Sequence, residues 1–295
     1  MSDVFRSGFV SIVGRPNSGK STLVNRLVGE KISIVTDRPQ TTRHVIRGVV
    51  TRPEGQIVFL DTPGVHKPIH RMNTRMMDSV RQSIADADAV ALLVDASTPF
   101  GKGDAYTVEL VGAAKAPKFL LLNKVDRIPK EGLLGQIDHY SKLASFDAII
   151  PISARTGDGV ERFVLEVIER LPEGPRYYPD DQPTDRTERA LAEETIREKL
   201  IKATREELPY STAVVIEQFS EEPSIVRIAA NILVERESHK AIAIGKGGQL
   251  LKAIGTAARR DIEEMLGRKV YLELRVVVKK NWRDDVETLK RLGLE

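Results

Sequence analysis

The sequence has 295 residues, of which 41% are hydrophobic and 29% are charged, so a largely disordered chain is excluded. It contains no cysteine, which excludes disulfide bonds, zinc sites built on thiolates and a cysteine nucleophile. The net charge of +3 is too small to indicate a nucleic-acid partner by itself. We expect neither a secretory signal nor a membrane-spanning helix, because no apolar run approaches the roughly 20 residues that such a helix needs.

Residues 9–171 alternate short apolar runs with amphipathic stretches. The runs are FVSIVG, HVIRGVV, QIVFLDT, AVALLVDA, KFLLLNK and AIIPISA, most of them apolar without alternation, as in strands buried on both faces. The turn TRPEG between the second and third runs favours an antiparallel hairpin, whereas the wider spacings elsewhere favour helical crossovers. Residues 1–172 are therefore predicted to form an α/β domain with a six-stranded, mostly parallel sheet and helices on both faces.

The composition changes after residue 172. Prolines recur through LPEGPRYYPDDQPTDR, so residues 173–186 are predicted to form a linker without regular structure. Beyond it the pattern predicts a long helix (187–207), two strands, a short helix, the segment GKGG, a second long helix (249–266), a strand and a helical tail. Residues 187–295 are therefore predicted to form a separate α+β domain.

The segment GRPNSGKST follows the first predicted strand and matches the phosphate-loop pattern G-x-x-x-x-G-K-[ST]. Backbone N–H groups of such a loop surround phosphates at the N-terminus of the next helix. We expect Lys20 to reach the β- and γ-phosphates and the Ser21 hydroxyl to bind Mg²⁺. The predicted nucleotide-binding residues here are Gly14, Arg15, Pro16, Asn17, Ser18, Gly19, Lys20, Ser21 and Thr22.

The segment DTPG ends the third apolar run. A carboxylate at Asp61 can hold the hydration shell of Mg²⁺, and the Gly64 N–H can meet the γ-phosphate. Taken alone, the segment is equally typical of a helix cap that follows a strand, but the phosphate loop favours the nucleotide site. The predicted binding residues are Asp61, Thr62, Pro63 and Gly64.

The segments NKVD and SAR follow the fifth and sixth runs. The Asp126 carboxylate can accept hydrogen bonds from guanine N1–H and N2–H₂, a donor pair that adenine lacks, so it selects GTP over ATP. A backbone N–H of the SAR segment can meet guanine O6. Both segments follow strands, and ligands bind at the carboxyl ends of strands in open α/β sheets. The predicted residues are Asn123, Lys124, Asp126, Ser153, Ala154 and Arg155.

The segment IGKGGQLLKAIG lies between two predicted helices of the second domain. Its glycines would let the backbone approach a nucleic-acid backbone closely, and Lys246 adds positive charge. The predicted RNA-binding residues are Ile244, Gly245, Lys246, Gly247, Gly248 and Lys252. The single tryptophan, Trp282, is either a stacking platform for a base or a packing anchor, and we favour the anchor.

With these motifs, residues 1–172 resemble the translation-factor-like branch of the GTPases, and residues 187–295 resemble a type II KH domain. The phrases PQTTR, ELPYS and IGKGGQ extend the resemblance to the Era family of bacterial ribosome-assembly GTPases over nearly the whole chain. It implies binding of GTP or GDP with Mg²⁺. In the mobile loop that contains PQTTR, it implies that Thr42 is the metal ligand, and Thr41 is the alternative candidate for that role. Ser18 departs from the family, where we expect valine.

The family resemblance also implies partners and a location. It implies binding to the 3′ end of 16S ribosomal RNA, a role in assembly of the 30S subunit, and a cytoplasmic monomer with peripheral association with the inner membrane. Two alternatives remain at this point: a tRNA-modification GTPase, and a non-enzymatic RNA chaperone with a vestigial nucleotide site. A membrane-associated GTPase is a third, for which the sequence offers no lipid signal.

Hydrolysis poses a separate question, because Val65 stands where Ras-like enzymes place a water-orienting glutamine. The chain resembles GTPases that carry asparagine in the phosphate loop and use a bound K⁺ ion, so Asn17 is the hypothetical K⁺ ligand. Arg15 and Arg43 are weaker candidates as internal arginine fingers. His66 and His70 are interpreted as loop residues rather than bases. The predicted catalytic residues are Asn17, Lys20, Thr42 and Gly64.

Overall fold

The computed structural model describes residues 4–204 and 208–294, and these fall into two compact units. The first unit runs to residue 68 and includes residues 76–185; the second comprises residues 69–75 and the chain from residue 186 onward. The predicted domain boundaries at residues 172 and 187 stay predictions. In the structure, residues 173–185 group with the first unit, where the sequence predicted a linker.

The helices and strands follow the predicted order. The strands and helices up to residue 185 are β1 (Arg6–Val13), α1 (Lys20–Val28), β2 (Ile46–Arg52), β3 (Gly55–Asp61), α2 (Arg71–Ala85), β4 (Ala89–Asp95), α3 (Lys102–Gly112), β5 (Lys118–Asn123), α4 (Lys130–Leu143), β6 (Ala148–Pro151) and α5 (Val160–Arg170). Those that follow are α6 (Glu188–Ala203), β7 (Ala213–Glu221), β8 (Ile225–Val234), α7 (Glu237–Ile244), α8 (Gln249–Leu266), β9 (Lys269–Val278) and α9 (Val286–Arg291).

The first unit is built on a six-stranded sheet in the order β2-β3-β1-β4-β5-β6. Only β2 runs antiparallel to its neighbour, as the short turn predicted, and the other pairs are parallel. Both faces are covered: on β4, Ala91 and Leu93 lie in one apolar cluster, whereas Leu92 and Val94 lie in another. The predicted fold class is confirmed, and this topology brings the carboxyl ends of β1, β3, β4, β5 and β6 to one edge.

The proline-rich segment 173–185 lacks regular structure, as predicted, but it is bound to this sheet. The fully buried Gln56 side chain accepts hydrogen bonds from Tyr177 N (2.8 Å) and Tyr178 N (3.0 Å) and donates to the Tyr178 carbonyl (2.9 Å). Ser7 Oγ donates to the Pro175 carbonyl at 2.6 Å. Prolines cannot donate to a strand, but their carbonyls still accept, as the Pro183 carbonyl does from Val49 N at 2.9 Å. Side-chain hydrogen bonds and a few backbone hydrogen bonds, rather than a continuous ladder, therefore hold the segment.

The second unit has a three-stranded sheet in the order β7-β8-β9, with β7 antiparallel and β9 parallel to β8. Thr187 caps α6 by accepting from Ala190 N, and the helix ends at Ala203; the predicted end at residue 207 lies outside the described residues. Trp282 is fully buried and donates from Nε1 to the Ser211 carbonyl at 3.0 Å. Its favoured interpretation as a packing anchor therefore agrees with the structure, and its ring is not available to a base.

Candidate functional site

The phosphate loop joins β1 to α1. Asn17 (φ 63°) and Gly19 (φ 105°) adopt left-handed backbone conformations that turn the loop around the helix N-terminus. The Lys20 side chain is buried, and its Nζ donates to the carbonyls of Gly14 (3.0 Å) and Arg15 (2.9 Å). Burial lowers the pKa of Lys20 to about 8, although the charge of Asp61 acts in the opposite direction. A buried cation of this kind gains strongly from an anionic phosphate.

Ser21 and Thr42 meet at the start of α1. Their hydroxyl oxygens are 2.9 Å apart, and Thr42 is buried. Thr41, the competing candidate, turns its hydroxyl away to donate to the Arg38 carbonyl at 2.7 Å. Neighbouring ligands of an octahedral Mg²⁺ with bonds of about 2.0–2.1 Å lie about 3 Å apart. The pair therefore fits Mg²⁺, and the geometry favours Thr42 over Thr41.

Asp61 and Gly64 lie at the end of β3, beside the phosphate loop. Asp61 is fully buried, and Thr62 Oγ1 donates to the Ile12 carbonyl at 2.7 Å, which fixes the turn. A Cβ on Gly64 would lie 2.9 Å from Pro16, so Gly64 must be glycine for Pro16 to pack against it. Pro16 thus has a role that the sequence left unexplained: its ring sets the distance between the two phosphate-binding segments.

Val65 and the two histidines that follow DTPG have structural partners. Val65 is buried and donates from its backbone N–H to the Gly14 carbonyl at 3.0 Å, so its side chain cannot orient a water molecule. His66 Nδ1 donates to the Gly64 carbonyl at 2.7 Å. In the second unit, His70 Nδ1 lies 3.2 Å from an Asp284 carboxylate oxygen. These contacts agree with the interpretation of both histidines as loop residues.

Asp126, which the sequence predicts to select guanine, has two partners. One carboxylate oxygen accepts from Ser153 Oγ at 2.7 Å, and the other lies 2.8 Å from Arg155 Nη2. The Ser153 hydroxyl and the Arg155 guanidinium hold the pKa of the Asp126 carboxyl below its usual range. The group therefore stays ionised near neutral pH, as an acceptor of guanine N–H groups must. A guanine base has to compete with Arg155, whose side chain is 69% exposed.

The other residues of NKVD connect the loops around this site. Asn123 donates from Nδ2 to the Ser18 carbonyl (2.7 Å) and accepts from Ala154 N (2.9 Å), so it joins the phosphate loop to the SAR segment. Lys124 Nζ donates to the Asn17 carbonyl (2.8 Å) and to Asp95 (2.6 Å). The sequence analysis did not identify Asp95 as a residue of this site. Its position at the end of β4, on the same edge of the sheet as the other site residues, could have indicated it.

A cavity of about 550 Å³ opens between these loops at the base-binding end of the site. It brings together predicted residues of the phosphate loop and of the NKVD and SAR segments, but none of the DTPG segment, and it adds residues 35–37, which precede Thr42. Its lining consists of Asn17, Gly19, Thr22, Val35, Thr36, Asp37, Asn123, Lys124, Asp126, Arg127, Ala154 and Arg155.

The arginine candidates and Ser18 have other surroundings. Arg15 pairs with Asp104 of α3 at 2.8 Å, and Arg43 is buried rather than solvated. Asn17 Nδ2 donates to the Asp37 carbonyl at 2.8 Å. Ser18 is buried, and within residues 4–204 and 208–294 its hydroxyl has no hydrogen-bond partner. The Ser18 hydroxyl lies where the family resemblance leads us to expect valine. Its lack of a hydrogen-bond partner agrees with a packing role for Ser18 rather than a phosphate contact.

A second cavity, of about 460 Å³, lies between α8 and β9 in the second unit. Of the predicted RNA-binding residues, Gly248 and Lys252 line it, whereas Ile244 packs against the apolar core of the unit. Gly247 and Gly248 have positive φ angles, and a Cβ on either would meet no heavy atom of the described residues within 4 Å. The loop backbone is therefore accessible to a ligand. The cavity is lined by Gly248, Leu251, Lys252, Gly255, Thr256, Arg259, Val270, Tyr271, Leu272 and Leu274.

Family models match both units. Residues 9–124 match the model described as 50S ribosome-binding GTPase, and residues 207–283 match the KH domain model. The GTPase Era of Staphylococcus haemolyticus is 47% identical to the chain over 289 residues, which cover 98% of this chain and 97% of that protein.

Two solved structures are similar over nearly the full length. One is a crystal structure of Era in complex with MgGDPNP and nucleotides 1506–1542 of 16S ribosomal RNA, with 39% identity and a TM-score of 0.95 over 98% of this chain and 99% of that chain. The other is an Aquifex aeolicus Era variant bound to GDP·AlF₄⁻, with 39% identity and a TM-score of 0.94 over the same shares. Within the described part of this chain, no helix has both the length and the apolar character to cross a membrane.

Proposed function

Because the chain belongs to the Era family of GTPases, enzymes that hydrolyse GTP, we propose that it binds the 3′ end of 16S ribosomal RNA and assists assembly of the 30S subunit under the control of GTP. One observation carries this proposal: the Era structure solved with nucleotides 1506–1542 of that RNA matches this chain at a TM-score of 0.95. The cavity along α8, beside the exposed glycine backbone of residues 247 and 248, supports the second unit as the RNA-binding part.

The nucleotide site derives its chemistry from five residues of the first unit. Lys20 neutralises charge on the phosphates, and the Gly64 N–H meets the γ-phosphate from the opposite side. Ser21 and Thr42 would hold Mg²⁺ directly and Asp61 through water. When bound, the metal supplies charge neutralisation for the β- and γ-phosphate oxygens. Thr42 would hold the first mobile loop closed in the GTP state, and loss of the γ-phosphate would release it.

Control by GTP requires that the two nucleotide states differ in RNA affinity. We expect tighter binding of an RNA fragment of nucleotides 1506–1542 in the presence of Mg²⁺ and a non-hydrolysable GTP analogue than with GDP. Fluorescence anisotropy of the labelled RNA measures both affinities at one salt concentration. Equal affinities would contradict control by GTP, and no binding in either state would contradict the RNA-binding role itself.

We further propose that Asn17 supports K⁺-stimulated hydrolysis. Its Nδ2 donates to Asp37, so its Oδ1 is the amide atom that could serve a cation, and Val65 offers no group to orient water. A monovalent cation there would supply charge opposite the β- and γ-phosphates. We expect turnover to be at least several-fold faster in KCl than in NaCl at equal ionic strength. Asn17→Ala should remove most of that difference; equal rates for the unaltered protein in the two salts would contradict the K⁺ role.

The alternatives from the sequence receive no support from the comparisons. The family match over 98% of the chain favours a GTPase of the Era family over both a tRNA-modification enzyme and a chaperone with a vestigial nucleotide site. We also propose that the protein is a cytoplasmic monomer, part of which associates peripherally with the inner membrane. This location and this oligomeric state rest on the family resemblance alone. Fractionation of cells and sedimentation of the purified protein test these two proposals.

A further inference from the structure

The side chain of Arg26, in the last turn of α1, contacts the SAR segment. Its Nε donates to the Ala154 carbonyl at 3.0 Å, and its Nη2 donates to the Arg155 carbonyl. Arg26 belongs to none of the nucleotide-binding motifs and lies 128 positions before Ala154. One guanidinium therefore holds two consecutive carbonyls with two parallel donors, a geometry that lysine cannot reproduce.

The chain that follows the SAR segment leaves room for this guanidinium. A Cβ on Gly157 would lie 3.3 Å from Arg26 Nη1, which is closer than an ordinary van der Waals contact, and the backbone there has a φ of 95°. The last turn of α1 also favours a cation, because the carbonyls at a helix C-terminus carry partial negative charge. Both segments thus accommodate the Arg26 contact.

The backbone N–H groups of residues 153–157 show what this contact can orient. Four of them donate within the protein: Ser153 N to the Asp158 carbonyl (2.9 Å), Ala154 N to Asn123 Oδ1 (2.9 Å), Thr156 N to Ser153 Oγ (3.1 Å) and Gly157 N to the Ser153 carbonyl (2.8 Å). The fifth belongs to Arg155, and within residues 4–204 and 208–294 it has no hydrogen-bond partner.

The contact with Arg26 fixes the direction of the Arg155 N–H. This N–H and the Ala154 carbonyl belong to one planar trans peptide, so they point in opposite directions. Ala154 and Arg155 line the cavity of about 550 Å³ at the nucleotide site, whereas Arg26 is not part of its lining. A carbonyl that is turned toward Arg26 therefore turns the N–H of the same peptide toward the cavity.

We propose that Arg26 is a positioning residue for base recognition, which aims the Arg155 N–H at O6 of guanine. O6 is an acceptor, whereas adenine carries an N–H donor at the same place, so the N–H adds to the discrimination expected from Asp126. The same helix carries Lys20 and Ser21 in its first turn, so α1 positions both ends of the nucleotide. The inference rests on the predicted role of the SAR segment and identifies a residue that supports it.

Arg26→Ala tests this role through three nucleotides. Inosine diphosphate keeps O6 but lacks the 2-amino group of GDP, and 6-thioguanosine diphosphate carries sulfur, a weak acceptor, in place of O6. We expect the variant to bind GDP and inosine diphosphate about three- to ten-fold more weakly, as for the loss of one neutral hydrogen bond, and the sulfur analogue less than about two-fold more weakly. Isothermal titration calorimetry measures the affinities. Equal weakening for all three nucleotides would overturn the positioning role.

Steady-state kinetics separates positioning of the base from the chemical step. Arg26→Ala should raise KM for GTP and leave kcat within about two-fold, because the residues predicted to contact the phosphates, Lys20 and Thr42, are unaltered. Arg26→Lys keeps the charge but can donate to both carbonyls less well, so it should recover only part of the affinity for GDP. A large fall in kcat with an unchanged KM would contradict a role at the base.

Arg162→Ala is the matched control, because it removes a positive charge from α5, where this side chain is 66% exposed. It should leave all three affinities unchanged, and a loss as large as that of Arg26→Ala would assign the effect to charge alone and overturn the inference. Unaltered affinity of Arg26→Ala for GDP would overturn the positioning role of Arg26 by itself. Equal binding of GDP and the sulfur analogue by the unaltered protein would overturn the predicted contact of the SAR segment with O6 as well.

Discussion

At the scale of single residues, Asp126 forms an ion pair with Arg155 that a guanine base would have to displace if Asp126 selects the base as proposed. Both oxygens of the Asp126 carboxylate are engaged, one by Ser153 and one by Arg155. The Ser153 hydroxyl can stay in place while a base binds, because a carboxylate oxygen accepts more than one hydrogen bond. Arg155 is largely exposed and can move away, so it acts as a competitor of the nucleotide rather than a fixed part of the site.

Arg155→Ala should therefore bind GDP about two- to five-fold more tightly, which corresponds to the modest free energy of an exposed ion pair. Titration with a fluorescent GDP analogue measures this change, and the association rate should rise with the affinity. Arg127→Ala is the matched control, since Arg127 lines the same cavity without an ion pair to Asp126 in this structure. Weaker binding of the Arg155 variant would show instead that the guanidinium contacts the bound base.

The sequence predicted several residues that the structure brings to one cavity, but it did not predict their hydrogen-bond partners. The motifs identified Lys20, Ser21 and Asp126 because the spacing of each motif encodes a phosphate or base contact. The choice between Thr41 and Thr42 depended on the path of an irregular loop. The pairing of Arg15 with Asp104 joins residues 89 positions apart, which no local pattern encodes.

At the scale of elements, α6 shows how a buried carboxylate can make a helix sensitive to pH. Burial raises the pKa of Glu193 from its ordinary value of 4.5 to about 7, and the neighbouring charge of Glu194 adds to the effect. The hydrogen bond from Ile216 N, at 3.1 Å, works in the opposite direction. The charges of Arg189 and Arg197 also lower this pKa, but burial outweighs them.

We predict that the second unit loses stability as the pH rises from about 4.5 to 7. In that range the native state binds more protons than the unfolded state, so the contribution of protonated Glu193 is complete below pH 4.5 and lost above pH 7. Glu193→Gln should remove this loss, stabilising the unit at pH 8 by up to about 3 kcal/mol and leaving it nearly unchanged at pH 4.5. Urea unfolding followed by Trp282 fluorescence measures both; a variant that is no more stable at pH 8 would contradict the prediction.

The helices and strands were the part of the fold that the sequence predicted best. Apolar runs without alternation predicted the strands of the first sheet because strands covered on both faces need apolar side chains in both directions. In the second unit, α8 was predicted from Gln249 to Leu266 and has these ends, since glycines flank it on both sides. The amphipathic pattern assigned to α6 was less informative, because charged residues such as Glu194 and Arg197 are buried there as an ion pair.

At the scale of the whole molecule, the proline-rich segment changes where the first unit ends. The sequence placed that end at residue 172 because proline interrupts regular structure, and prolines do exclude a strand here. What composition cannot reveal is that Gln56 and Ser7, more than 100 residues earlier, hold the segment through side-chain hydrogen bonds. Residues 173–185 thus complete the first unit, although they form neither helix nor strand.

A fragment that ends at residue 172 should therefore be less stable than one that ends at residue 185. The shorter fragment leaves the buried polar groups of Ser7 and Gln56 without their partners, at a cost of about 2–4 kcal/mol. Urea unfolding followed by circular dichroism compares the two. Gln56→Leu in the longer fragment is the control for the Gln56 contribution, because it removes the hydrogen bonds of that side chain to Tyr177 and Tyr178 without shortening the chain. Equal stabilities of the two fragments would show that the segment contributes nothing to the unit.

The two hydrogen bonds of Asn123 have a consequence for the length of ligand that the nucleotide site accepts. One joins this side chain to the loop that receives the phosphates, and the other joins it to the segment beside the base. Asn123 is buried, so it acts as a spacer of fixed length between the two ends of the ligand. The side chain thus constrains the distance between the loop that is predicted to receive the phosphates and the segment that is predicted to lie beside the base.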